Sequence, residues 1–168
     1  MPLSLYDVTV PAFLRGFRNL AQHLDQAKAY ADANGLPHEE LLAARLYADM
    51  LPLTGQVQRA SDTAKFVPVR VAGLKAPSMP DTEATFDELQ ARIEATVAWL
   101  KTVGQDAFDG RDEAEVVLKF GQQAFPMTAR DYVLGFALPN FYFHLTTAYD
   151  ILRHKGVALG RLDFIGGL

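Results

Sequence analysis

Two histidines and a carboxylate on one stretch of chain carry most of the chemistry this sequence offers. The segment Leu138–Gly166 reads LPNFYFHLTTAYDILRHKGVALGRLDFIG and places His144, Asp150 and His154 among five aromatic residues. His144 and His154 are ten residues apart, which on a helix is about 15 Å of rise. They cannot ligate one metal whose bonds are only about 2 Å long. Asp150 and His154, at i and i+4, share a face with Phe143 and Thr147. An Asp–His pair one turn apart suits a divalent metal, or a carboxylate that raises the basicity of an imidazole. Gln58, Asp62 and Asp49, on or near an earlier helix, are placed to face this segment across a bundle.

Each residue also has a plainer reading. His154 sits between Arg153 and Lys155 just before Gly156, where a cation complements the negative end of a helix dipole. His144, among Tyr142, Phe143 and Leu145, fits a hydrogen-bonded core histidine. His23 and His38 read as surface or cap residues, and the run QVQRASD around Gln58 as a solvated helix face. Phe136, Phe141, Tyr142, Phe143 and Tyr149 would floor an apolar pocket, fill a core or form a dimer seam.

The elements that position these residues follow from periodicity. Phe13, Phe17, Leu20 and Leu24 mark a helix from about Val8 to Ala33, stopped by Asn34-Gly35. A short helix covers His38 to Leu46. A second long helix starts near Pro52, with the stripe Leu53, Val57, Ala60, Ala64 and Val67 and an end or kink at Pro68. Gly73 to Pro80 is a loop. Asp81 is the expected N-cap of a third long helix reaching about Val103, with Glu88 and Arg92 as an i, i+4 ion pair. Glu115–Phe120 and Gln123–Met127 flank Gly121 as a hairpin. Thr128 caps the last helix, which runs to His154 with a kink at Pro139. The expectation is an all-α four-helix bundle with a small β-hairpin before the last helix, one domain over residues 1–168.

Composition narrows the function classes. There is no cysteine, which excludes disulfides, thiolate nucleophiles and Cys-based zinc sites. The net charge is −4 with no basic run, against a nucleic-acid partner. Tyr132 to Leu145, the longest apolar region, is too short for a membrane span. The start of the chain lacks the pattern of a signal peptide, so a bacterial-type cytoplasmic location is expected. GxSxG, SxxK, GxGxxG, HExxH and Walker patterns are all missing.

Three segments, SLYDVTVPAFLRGF, ARLYADMLPLTGQVQRASDTAK and LGFALPNFYFHLTTAYDILRHKGVALGRLDFIG, make the chain resemble a bacterial family of uncharacterised domains in the DinB/YfiT-like superfamily. The resemblance implies a four-helix bundle. Many relatives carry a three-histidine metal site, one histidine on the second helix and two near the end of the last, and some are thiol-dependent transferases or isomerases. Carried over by position, His154 matches the last histidine, Asp150 stands where the other C-terminal one would be, and Gln58 lies where the second helix would offer its own. A Gln58–Asp150–His154 set would bind a divalent metal more weakly than three imidazoles and favour harder ions. If the protein is an enzyme, the resemblance implies a cleft between the second and fourth helices. There His154 is a ligand or general base, Asp150 orients or co-ligates, and His144 or Tyr149 touches substrate. The rival is a non-catalytic, dimeric ligand-binding or interaction module. A homodimer and a small-molecule ligand are the partners expected.

Overall fold

Ser4 opens the first helix: its hydroxyl accepts the Asp7 amide at 3.1 Å while the Asp7 carboxylate accepts the Ser4 amide at 2.9 Å. This reciprocal cap starts α1 (Leu5–Ala33) three residues before the expected Val8, so Pro11 falls inside the helix. The computed structural model describes residues 3–167. After α1 come α2 (His38–Leu42), α3 (Leu53–Ala72), α4 (Phe86–Leu100), β1 (Glu115–Phe120), β2 (Gln123–Thr128), α5 (Ala129–Tyr132), α6 (Leu138–His154) and α7 (Arg161–Ile165). A 3-10 turn at Gln105–Phe108 and a π turn at Val133–Ala137 complete the path.

The four long helices α1, α4, α3 and α6 pack in that cyclic order around one core. The stripes expected from periodicity are the ones buried: Phe13, Phe17 and Leu24 on α1, and Leu53, Val57, Ala60, Ala64 and Val67 on α3, are all fully covered. At Gly16, α1 and α6 pack against each other with no room for a side chain. A Cβ there would stand 2.8 Å from both Leu145 Cδ1 and Phe141 Cε1.

The boundaries that differ from the sequence reading have local causes. α2 stops at Leu42, four residues short of the expected Leu46, and the Leu53 amide bonds back to Ala44 O. Pro68 does not end α3, which runs on to Ala72 and stops at Gly73 in the left-handed conformation, φ 70°. Asp81 does not cap α4. Thr85 does, in a capping box with Glu88, whose carboxylate accepts the Ala84 and Thr85 amides. Glu88 is therefore occupied and does not pair with Arg92, which turns inward.

The hairpin is antiparallel, with Phe120 opposite Gln123 and Glu115 opposite Thr128. Val116 and Leu118 face the protein while Val117 and Lys119 face out, the alternation a half-buried strand requires, and Phe120, on the Leu118 face at the strand's end, is left half exposed. Thr128 accepts the Asp131 amide at 3.1 Å and starts the last helical run. Proline lacks the N–H that an α-helix would direct to the carbonyl four residues back. The chain meets this by widening into the π turn ahead of Pro139, and α6 then proceeds to His154. No helix among the described residues is long and apolar enough to cross a membrane.

Candidate functional site

The seam between α3 and α6 carries polar side chains that face one another across the bundle. His144 Nδ1 lies 2.8 Å from Gln56 Oε1, and Gln56 Nε2 donates in turn to Leu51 O at 3.0 Å. Further along, Asn140 Nδ2 donates to Thr63 Oγ1 at 2.8 Å. As residue numbers rise along α3 from Gln56 to Thr63 they fall along α6 from His144 to Asn140, so the two helices run antiparallel. Gln56 Oε1 can only accept, so Nδ1 carries the proton and Nε2 keeps a lone pair. Nε2 has no hydrogen-bond partner among the described residues and is not among the fully covered unpartnered atoms, so it touches solvent. Burial, with the nearby Arg59 charge, holds the His144 pKa down to about 4. The side chain is a neutral, oriented imidazole.

Asp150 and His154 lie elsewhere. Both are exposed, on the last turns of α6. His154 is about 15 Å beyond His144 along the helix, toward the start of α3 at Leu53. Gln58 lies on the other side of Gln56, and its amide donates to Glu83 Oε2 at 2.8 Å. The three residues are thus not brought together. Among the described residues no group of three or more His, Asp or Glu side chains is placed to hold a metal ion. A three-imidazole centre needs three converging nitrogens, and the donors present do not fit one. His154 stands instead with Arg153 in the final turn, where positive charge offsets the helix dipole.

A second polar group, which the sequence reading missed, joins α3, α4 and the segment between them. The Arg92 side chain is 1% exposed and reaches Asp62 at 3.0 Å, Glu83 at 3.0 Å and Asp81 at 3.1 Å. Its Nε donates to Ser61 Oγ at 3.1 Å. Lys65 pairs with Asp62 at 3.1 Å, and Arg59 with Asp62 and Asp81. Burial pushes the Glu83 pKa up, but hydrogen bonds from Gln58, its own backbone and Arg92, with the Arg92 charge, outweigh it and leave the carboxyl below its ordinary range. Arg59, Lys65 and Arg92 balance Asp62, Asp81 and Glu83. A balanced, mutually satisfied set is a clamp for the 74–85 segment, with no charge left over for a ligand. The signal available in sequence was the TxxE capping box from Thr85 to Glu88, which occupies Glu88 and frees Arg92 to turn inward.

The five aromatics expected to act together are dispersed. Phe141 is fully buried against Phe13 and Phe17, Phe136 stacks on Tyr132 and meets Phe120, and Tyr142 and Phe143 are exposed. Tyr149 packs on His23 and Phe164, with ring centroids 5.8 Å from each. His23, expected at the surface, is 2% exposed because α7 folds back over it. Burial lowers its pKa, opposed by the backbone and charge of Asp163. On the hairpin, Leu118, Phe120, Phe125, Met127 and Phe136 line an apolar groove of about 430 Å³.

Residues 5–165 match the model of a domain of unknown function, DUF1993. The chain is also similar to a solved structure, the crystal structure of a DinB family member protein from Shewanella denitrificans. The TM-score is 0.92 at 37% identity, over 98% of this chain and 93% of that one. No protein of curated function matches it.

Proposed function

The chain belongs to the DUF1993 family of DinB-like proteins, and from that premise we propose that it is a non-catalytic module that binds a small molecule and pairs with a second copy of itself. The observation that carries this reading is the pairing of α3 with α6. On α3 it is Gln56 that bonds to His144, while Gln58 is drawn away to Glu83 and Asp150 and His154 lie exposed at the far end. That arrangement supports a bundle whose metal site has been replaced by a structural hydrogen bond. Calorimetric titration with zinc and with nickel tests it. Weak, substoichiometric heat agrees with the reading, and a one-to-one site contradicts it.

The pairing surface is the hairpin groove. Phe120 and Phe125 are 54% and 45% exposed and lie edge to face with centroids 5.9 Å apart. An apolar aromatic patch of this kind is the composition of an interface core. Sizing at low concentration should give a dimer for the native chain and a monomer for Phe120→Ser/Phe125→Ser. A native monomer overturns the pairing.

One observation keeps an enzymatic reading in view: the His144 Nε2 lone pair is available to solvent on a neutral ring. A general base of this kind needs a substrate pocket beside it. A screen of ester and thiol-transfer substrates with native and His144→Gln protein tests it, with activity confined to the native chain as the supporting result.

A further inference from the structure

The tail of the chain lies over two polar side chains of α1 that it does not satisfy. Asn19 and His23, one turn apart, are 4% and 2% exposed. Asn19 Nδ2 donates to Phe164 O at 2.9 Å, but Asn19 Oδ1, His23 Nδ1 and His23 Nε2 are covered and meet no partner at hydrogen-bond geometry among the described residues, although the Asp163 backbone of α7 lies close enough to the ring to raise its pKa. Buried polar atoms are almost always paired, and those that are not call for an explanation. These border a cavity of about 10 Å³ closed by Leu145 and Phe164. Asn19, Leu145 and Phe164 also line a neighbouring pocket of about 200 Å³ that reaches Arg15, Tyr142 and Ile165. Phe164 lines both.

The cover itself is slight. α7 has five residues, none of them buried, with Leu162 70% and Ile165 40% exposed. Gly156 and Gly166 bracket it at φ 96° and 80°, conformations that glycine adopts without strain. It is held by the Asn19 bond and by the Phe164 ring, which stacks on His23 with centroids 6.4 Å apart and meets Tyr149 edge-on.

We propose that Asn19 and His23 form a ligand site for a small uncharged aromatic carboxamide, and that α7 is a strap whose Phe164 fills the ring slot when the ligand is absent. The chemistry follows from the groups present. A neutral imidazole supplies one N–H and Asn19 Oδ1 supplies one acceptor, side by side on α1. A primary carboxamide presents the complementary edge: its N–H donates to Asn19 and its C=O accepts from His23. Its ring takes the place of the Phe164 phenyl against Tyr149, and the 200 Å³ pocket receives the remainder. A carboxylate would set an acceptor against Asn19 Oδ1 and is rejected at this point.

The site rests on the reading of the chain as a small-molecule binding module, and names its ligand chemistry. The test uses the full chain with ¹⁵N-labelled histidine, titrated with benzamide and, separately, with benzoate. Benzamide should move the His23 ring signals and leave His38 and His154 in place, and benzoate should move none of them. Phe164→Ala, which clears the slot, should bind benzamide more tightly, by on the order of tenfold, because the closed form no longer competes. Asn19→Leu should lose binding. His23 signals unmoved by benzamide in both the native chain and a folded Phe164→Ala protein mean that only water enters, which overturns the site. That result is independent of the metal and sizing measurements, which test the module reading itself.

Discussion

Gln56 and His144 hold each other across the bundle, Oε1 to Nδ1 at 2.8 Å, and so tie α3 to α6. The bond fixes the imidazole tautomer and ring plane, and the helices close around it until His144 is 9% exposed. The pair ties α3 to α6 by a neutral contact, and its consequences are measurable.

The first is a pH dependence of stability. In the folded chain the His144 pKa drops from the ordinary 6.5 to about 4, so between those values the unfolded chain binds the extra proton and the folded one does not. Stability conferred by neutral His144 is complete above pH 6.5 and is lost as the pH falls toward 4. A shift of this size corresponds to about 3 kcal/mol, and His23, lowered in the same direction by burial, adds to it. Urea denaturation from pH 7.5 to 4 should show this slope, and His144→Gln should flatten part of it while keeping a donor to Gln56. Equal slopes in the two proteins would remove His144 from the account.

The second separates two residues that the sequence pairs and the structure divides. Arg92→Met leaves Asp62 and Glu83, only 19% and 11% exposed, without their main cation, and should cost about 3–5 kcal/mol. Glu88→Ala removes only the carboxylate half of the α4 capping box and leaves the Thr85 cap in place, a loss of about 1 kcal/mol. Were the two an i, i+4 surface pair, either substitution would cost roughly 0.5 kcal/mol. Thermal and urea unfolding distinguish the cases.

The third concerns Gly16. The Cβ of Gly16→Ala would meet Leu145 and Phe141 at 2.8 Å, and forcing α1 and α6 apart should cost about 1–3 kcal/mol. Gly135→Ala, with open space at its Cβ position, is the control and should change stability little. A Gly16→Ala protein as stable as that control would show that the helices separate without strain.

The legible features of this sequence were those set by local rules. Apolar stripes on α1, α3 and α4 have the 3.6-residue period, and the hairpin has alternating residues with Gly121 at its turn, so their existence and order could be read directly. Boundaries failed where two local signals competed: Asp81 and Thr85 are both good caps, and only Thr85 has Glu88 three residues on. The candidate site was less legible because its geometry is set by long-range partners. His23 is buried by Phe164 and Tyr149, and Asn19 bonds a carbonyl 145 residues away. Nothing near either residue announces this. Gln56, and not Gln58, turns to His144 because which face of α3 meets α6 is set by the antiparallel pairing of the two helices, which no local pattern encodes.

The central claim is that the side chains of this bundle form a binding module and hold no three-ligand metal centre. The most direct measurement is elemental analysis of untagged protein, native beside Asp150→Ala and His154→Ala. The account predicts no stoichiometric transition metal in any of the three, with both variants unfolding close to the native chain. One metal per chain, lost in both variants, would contradict it.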